Sequence, residues 1–147
     1  MKEADNYFSI KSKEVGFVSL KGESGERLAL IGLDPDLPLP VITEKLIKDL
    51  SNSGDDKEIS VDQIIEGISY TLGADENFPH KNDYIKILKY YSHDIDKLLL
   101  RKALEELDNG DLDTSGMYLR TLKQLTPSLD GDFYYAFVLE RLAEEML

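Results

Sequence analysis

The chain has 147 residues, with 17 Lys or Arg against 29 Asp or Glu, so its formal net charge is −12. Hydrophobic residues make up 41% of the sequence, enough for a packed core, which argues against a wholly disordered chain. The acidity argues against direct nucleic-acid binding, because neutralising phosphates requires a basic face. The lack of cysteine excludes disulfide bonds, a thiol nucleophile and cysteine-ligated metals.

The first residues of the chain and the length of its apolar runs indicate where in the cell the protein is expected. The first residues are polar and acidic, and no basic stretch precedes an apolar run, so we expect no signal peptide. Apolar runs extend over only a few residues, whereas crossing a bilayer needs roughly 20. We therefore expect a cytoplasmic protein with no membrane association.

Residues 7–33 alternate in polarity with a period of two, which is typical of half-buried strands. Glycines within residues 21–26 favour a turn. Prolines at 35, 38 and 40 fix φ and disfavour helix in the preceding residue, so an extended connector should follow. We predict a small antiparallel β-meander and a proline-rich connector over residues 1–40. The predicted strands are Tyr7–Ser12, Val15–Leu20 and Arg27–Ile31.

From residue 41 the apolar period changes to 3.6, which predicts helices to the end of the chain. Ser60 and Gln63 have the spacing of a capping box, Gly110 ends one helix, and a later helix runs from about Ser115 to Thr126. Residues 41–147 are thus a predicted helical region. The two parts together predict an α+β fold that is mainly α.

The helical region also shows an internal repeat of 34 residues. Residues 60–62, 94–96 and 128–130 align as Ser-Val-Asp, Asp-Ile-Asp and Ser-Leu-Asp. Each triplet offers a capping side chain followed by an Asp that meets the positive end of the helix dipole. The apolar positions that follow align at the same offset. The predicted units span about residues 62–95 and 96–129, with a partial unit at 130–147.

The second unit resembles the tetratricopeptide repeat family. Small residues, a turn glycine, a large apolar residue and a closing proline stand in the family's order at Ala103, Gly110, Ser115, Leu119 and Pro127. The likeness covers about residues 60–147 and implies helical hairpins with a groove that holds a peptide or a partner helix. The sequence departs from the family pattern at Lys102, Glu106 and Leu122.

The resemblance implies which side chains line that groove. Lys97 and Arg101 lie one helical turn apart, so they share a face that could meet an acidic group or a terminal carboxylate. Leu100 and Leu104 lie beside them, with the alternative that a central helix simply buries both. The other implied positions are Gln63, Glu66, Tyr70, Tyr134 and Tyr135.

The last predicted helix is apolar on more than one face, which is unusual for a terminal repeat helix. Either the N-terminal part folds over it, or residues 133–147 dock a partner or a second copy as a homodimer. The residues that we assign to this docking surface are Tyr135, Leu139, Leu142 and Met146.

Metal and cofactor sites find little support in the sequence. Asp111, Asp113, Ser115 and Gly116 match the start of a calcium-binding loop, but Leu122 stands where the final bidentate acid is needed. The two histidines, at 80 and 93, are too few for a zinc shell. We expect no metal and no cofactor.

The preferred function is a non-enzymatic protein–protein interaction scaffold that binds a peptide or helix. One alternative is an acidic mimic of nucleic acid that binds a basic partner protein. Another is an enzyme that uses carboxylates, with Asp108 and Asp111 near His93 as the candidate residues.

Overall fold

The structure, a computed structural model, describes the backbone of residues 2–20, 23–53 and 59–147. Within these ranges it contains eight α-helices, a short 3-10 helix and one two-stranded antiparallel sheet. The helices are α1 (Lys2–Ser9), α2 (Glu23–Leu30), α3 (Thr43–Ser53), α4 (Val61–Ala74), α5 (Lys81–Tyr91), α6 (Ile95–Asp108), α7 (Leu112–Leu125) and α8 (Leu129–Glu145). The strands are β1 (Val15–Val18) and β2 (Leu39–Ile42), and the 3-10 helix is Ile10–Glu14.

The predicted class, a mainly helical α+β fold with a small N-terminal antiparallel sheet, is confirmed. The three-stranded meander is wrong in detail. The segment Tyr7–Ser12 belongs to α1 and the 3-10 helix, and Arg27–Ile31 lies mostly in α2. Only the middle predicted strand forms, and it pairs with β2 from the predicted connector, Val15 opposite Ile42. The predicted turn at 21–26 falls partly outside the described residues, at 21 and 22.

The misassigned strands have a common physical cause. Short apolar runs do not distinguish a strand from one side of a short helix, because both bury only two or three side chains. Phe8 and Leu28 illustrate this, since each is buried in the main core from a two-turn helix. Pro40 lies within β2, where the missing N–H is tolerated because each strand of a two-stranded sheet has a free edge.

Helices α4 and α7 form the centre of the molecule. Both are buried along most of their length, and α7 also packs against α6 and α8. Glycines permit this close approach. A Cβ on Gly73 would lie 2.8 Å from Met117 Sδ, and a Cβ on Gly67 would lie 1.9 Å from the carbonyl oxygen of Pro40. The core therefore depends on small residues where α4 meets α7 and β2.

Polar side chains join the two central helices. Thr121 Oγ1 donates to the carbonyl of Ser69 at 2.8 Å, and Gln124 Nε2 donates to the carbonyl of Leu72 at 2.7 Å. Tyr70 Oη and Thr114 Oγ1 lie 3.1 Å apart. These bonds satisfy polar groups that would otherwise be costly to bury.

The predicted 34-residue interval is present in the helix starts, since α4, α6 and α8 begin at residues 61, 95 and 129. Ser60 forms the predicted capping box with Gln63, and Ser128 Oγ accepts from Gly131 N at 3.0 Å. The packing does not follow the same interval. Helix α6 packs extensively on α7, whereas α5 touches α4 and α6 only lightly. Tyr84 instead attaches α5 to the connector by donating to the carbonyl of Pro38 at 2.6 Å.

The α6–α7 hairpin is the part that matches its sequence pattern most closely. Gly110 has φ of +83° and ends α6, a conformation that favours glycine. Ser115 and Ala103 are fully buried, and Ser115 Oγ donates to the Ala103 carbonyl at 2.7 Å. Helix α7 begins at Leu112, one turn earlier than predicted, because Asp111 caps it by accepting from the backbone N–H of Thr114.

Candidate interaction groove

Two adjoining depressions lie along the outer sides of α6 and α8. They share Leu104 and Asp108, and we call their combined surface the α6–α8 groove. The first, of about 550 Å³, runs along α6, and the second, of about 340 Å³, lies between the end of α6 and α8. The first is lined by Lys97, Leu100, Arg101, Leu104, Glu105 and Asp108. The second is lined by Leu104, Leu107, Asp108, Gly110, Leu112, Phe137, Arg141 and Glu145.

The helical period explains why these α6 side chains face outward. Positions 97, 100, 101, 104 and 108 repeat at three or four residues and so share one side of the helix. The opposite side carries the fully buried residues Leu99 and Ala103, which pack in the core. Leu100 and Leu104 are half-buried and line the groove, so the floor of the first depression is apolar.

Basic and acidic groups alternate at the rim. Arg101 Nε lies 3.6 Å from Glu105 Oε1, and Arg141 Nε lies 3.8 Å from Glu144 Oε2, both in exposed pairs within one helix. Lys97 forms no ion pair with any residue that the structure describes. Exposed pairs of this kind contribute little to stability, about 0.3–0.5 kcal/mol each. These cations can therefore exchange their partners for groups on a ligand at low cost.

Helix α8 adds an exposed apolar stripe beside the groove. Leu129, Phe133 and Phe137 recur every four residues, with 88%, 64% and 38% of their surface exposed. Phe137 itself lines the second depression. Phe133 and Phe137 lie within the predicted docking segment 133–147, but they are not among the four residues assigned to the docking surface, although their four-residue spacing was a signal for the stripe.

The docking residues assigned from the sequence lie in several environments. Leu142 is buried, with 7% of its surface exposed, and Leu139 packs partly against the core. Tyr135 Oη accepts from Arg120 Nη1 at 2.8 Å. Met146 alone of the four is exposed, at 63%. The apolar character of this side of α8 is thus largely explained by packing inside the chain, and the ring of Phe8 in α1 lies 6.3 Å from that of Tyr135.

The predicted groove residues are not brought to one place. Lys97 and Arg101 line the α6–α8 groove. Gln63 and Glu66 lie together at a small depression near β2, and Tyr70 is buried with its hydroxyl beside α7. Tyr134 is half-buried on α8 and lines neither depression of the groove. The cause is the packing of α4 on α7 and β2, which covers the face that a regular repeat would leave open.

A polar cluster joins α1 to the start of α7. Tyr7 donates to Asp113, whose other carboxylate oxygen lies 2.9 Å from Lys11 Nζ. The bond to Asp113 raises the pKa of Lys11, and burial raises the pKa of Tyr7. Burial also raises the pKa of Tyr70 to about 12. Both pKa shifts favour the protonated phenol, the form that donates a hydrogen bond.

The sequence candidates for metal binding and for carboxylate chemistry lie apart from one another in the described ranges. No group of three or more His, Asp or Glu in these ranges is placed to hold a metal ion. Asp111 instead caps α7, and Ser115 and Gly116 lie inside that helix rather than in a calcium loop. His93 precedes α6 and Asp108 ends it, so the length of the helix, about 21 Å, lies between these two enzyme candidates.

Among the described residues no helix combines the length and the apolar composition needed to cross a membrane. Comparisons with family models, with curated proteins and with solved structures gave no match to this chain. The resemblance to tetratricopeptide repeats therefore stays a prediction.

Proposed function

We propose that this protein is a non-enzymatic interaction module that binds a peptide segment of a partner protein in the α6–α8 groove. The observation that carries the proposal is the half-buried pair Leu100 and Leu104, flanked by the exposed cations Lys97 and Arg101. An apolar floor with a few charged groups at its rim is the common form of a peptide site.

The charges of the groove define the chemistry of the occupant. Lys97 and Arg101 lie on the α6 side and Arg141 on the α8 side, in a chain whose net charge is −12. Glu105, Asp108 and Glu145 stand at the same rim, but Lys97 forms no ion pair with a described residue and Arg101 only an exposed one. These two cations beside the apolar floor favour a ligand with a carboxylate, either an acidic side chain or a free C-terminus. The apolar floor favours aliphatic or aromatic residues next to that carboxylate. The proposed ligand is thus a short apolar segment with an acidic group.

A displayed peptide library tests this proposal. Peptides selected on the wild-type chain would be synthesised and their affinity measured by calorimetry for wild type and for Lys97→Glu/Arg101→Glu. We expect the double variant to bind at least tenfold more weakly, since the carboxylate would then meet two anions. The matched control is Lys86→Glu/Lys89→Glu, the same charge change on the exposed side of α5.

The library experiment has clear contrary outcomes. Selected peptides that bind wild type and Lys97→Glu/Arg101→Glu equally well would exclude the groove as the site. Selection that yields no saturable binder would count against a peptide-binding function altogether.

The acidity of the chain supports a second candidate, a mimic of nucleic acid that occupies the basic cleft of a partner. The observation is the excess of 29 acidic over 17 basic residues. Binding of this kind would weaken steeply with salt and would survive the Lys97→Glu/Arg101→Glu change. Affinities for a basic partner measured at two salt concentrations separate the two candidates.

We also propose that two copies of the chain associate through α8. The exposed stripe of Leu129, Phe133 and Phe137 is the surface that a second copy would cover. Sedimentation should then show a concentration-dependent dimer that Phe133→Lys abolishes. A monomer at all concentrations would contradict it. We also propose a cytoplasmic location, which cell fractionation would test.

A further inference from the structure

A second cavity, of about 430 Å³, lies away from the groove, where α1, α5, α7 and α8 approach each other. We call it the Arg120 cavity. Every residue that lines it carries a polar or charged group, in contrast to the apolar floor of the groove, so a small charged ligand suits it better than an apolar side chain. It is lined by Asp5, Glu76, Lys81, Arg120, Lys123, Gln124 and Tyr135.

Arg120 forms a fixed wall of this cavity. Its Nε donates to the carbonyl of Gly73 at 2.6 Å, its Nη1 to Tyr135 Oη at 2.8 Å and its Nη2 to Asp5 Oδ1 at 2.9 Å. Its guanidinium carbon lies 5.0 Å from the centre of the Phe8 ring. The guanidinium charge is therefore compensated by Asp5 and its position is set by three elements, so this wall is organised before any ligand arrives.

Gln124 presents an acceptor without a partner. Its Nε2 donates to the carbonyls of Leu72, at 2.7 Å, and of Arg120, at 3.3 Å, which fixes the orientation of the amide. Its Oε1 is buried and has no hydrogen-bond donor among the described residues. A buried acceptor without a donor is unfavourable, whereas the Nε2 group of the same amide is held in place by two carbonyls.

Three charged side chains at the cavity also lack partners. Glu76, Lys81 and Lys123 form no ion pair with any residue in the described part of the chain. Among the described residues, the cavity thus has two ammonium groups and one carboxylate that form no ion pair. A ligand that matches them carries two negative groups and one positive group.

We propose that the Arg120 cavity binds an acidic α-amino acid. Lys81 and Lys123 hold its two carboxylates, while Glu76 accepts N–H bonds from its ammonium group. This ligand neutralises the three unpaired charges together. The site is independent of the α6–α8 groove, since the two share no lining residue.

Calorimetry of the full chain with L-glutamate tests the inference. We expect saturable binding that weakens at least tenfold in Lys81→Gln/Lys123→Gln and several-fold in Glu76→Gln. L-glutamine, which lacks the second carboxylate, and N-acetyl-L-glutamate, which lacks the ammonium group, should both bind more weakly than L-glutamate. Lys86→Gln/Lys89→Gln is the matched control and should bind as wild type does.

The outcomes separate this site from the groove. Lys97→Glu/Arg101→Glu should leave glutamate binding unchanged, so a failure of the peptide proposal does not affect this test. Absence of saturable binding, or equal affinity in wild type and Lys81→Gln/Lys123→Gln with circular dichroism showing both folded, would overturn the inference.

Discussion

Helices α6 and α7 are both 14 residues long and are consecutive in the chain, yet they serve different purposes. Helix α7 buries nine residues and makes contact on several sides, whereas α6 buries only Ile95, Leu99 and Ala103. The difference lies in the small and hydroxyl residues of α7, which let neighbouring backbones approach closely. Helix α6 carries charged and long side chains outward and so provides a surface. The comparison separates residues that hold the fold from residues that are free to bind.

The largest effect should come from the centre of the fold. In Gly67→Ala the added methyl group would meet the carbonyl oxygen of Pro40, a backbone atom with little room to move. We expect the free energy of unfolding to fall by about 3 kcal/mol or more in urea titrations. Gly131→Ala in α8 is the matched control, because its methyl group would meet side-chain atoms, and it should change stability by less than about 1 kcal/mol. Equal effects in the two variants would contradict the difference between the central and outer helices.

The next largest effect concerns the polar contacts of α7. Arg120→Met removes three hydrogen bonds and leaves the carbonyl of Gly73 and the Asp5 carboxylate without their partner. We expect a loss of about 2–3 kcal/mol in urea unfolding, in the range for bonds to a charged group. Arg101→Met on α6 removes only an exposed ion pair and should cost below about 0.5 kcal/mol. A loss in Arg120→Met no larger than in Arg101→Met would show that the contacts of α7 are not structural.

Alkaline pH should also lower the free energy of unfolding, because several tyrosines are buried in the core. Burial raises the pKa of Tyr70 from 10.0 to about 12, so the native state keeps a proton that the unfolded state loses above pH 10. Stability therefore falls as the pH rises from 10 to 12, by up to about 2 kcal/mol from Tyr70. Burial raises the pKa of Tyr84 and Tyr118 as well, which adds to the fall.

Urea unfolding at pH 9 and at pH 11.5 measures this dependence. Tyr70→Phe should lose less stability between the two pH values than wild type does, while Tyr90→Phe, at a half-exposed position, should lose as much as wild type. If Tyr70→Phe loses as much stability between pH 9 and pH 11.5 as wild type does, burial of this phenol does not couple to folding.

The smallest effect on stability should come from the groove. Lys97→Glu/Arg101→Glu alters two exposed side chains on α6 and breaks one exposed ion pair, so the free energy of unfolding should change by less than about 0.5 kcal/mol. Its affinity for a selected peptide should nonetheless fall at least tenfold. A loss of stability above about 1 kcal/mol in thermal or urea unfolding would show that these two residues stabilise the fold.

Much of the helical part could be predicted from the sequence because its signals are local. The capping box at Ser60, the glycine at 110 and the start of α8 depend on residues within one turn of each other. The outward pair Lys97 and Arg101 was predicted on the same basis, since one helical face needs only the period of the helix.

The parts of the fold and of the site that were not predicted depend on contacts between segments far apart in the sequence. The pairing of β1 with β2, and the packing of α4 on α7 in place of α5, join residues far apart in the chain. No local pattern specifies these pairings, and they decide that Tyr70 is buried and that Gln63 and Glu66 lie apart from the groove. The Arg120 cavity was missed for the same reason, because Arg120 meets Asp5 and Tyr135 only in the folded chain.

The most direct test of the central claim is to map a selected peptide on the protein by NMR. Amide resonances of the labelled chain would be followed during titration with the tightest peptide from the library. We expect the largest shift changes to fall on residues 97–108 of α6 and 133–141 of α8 and to disappear in Lys97→Glu/Arg101→Glu. Shift changes centred on α4, α5 or the N-terminal sheet would contradict the claim that the α6–α8 groove is the binding surface.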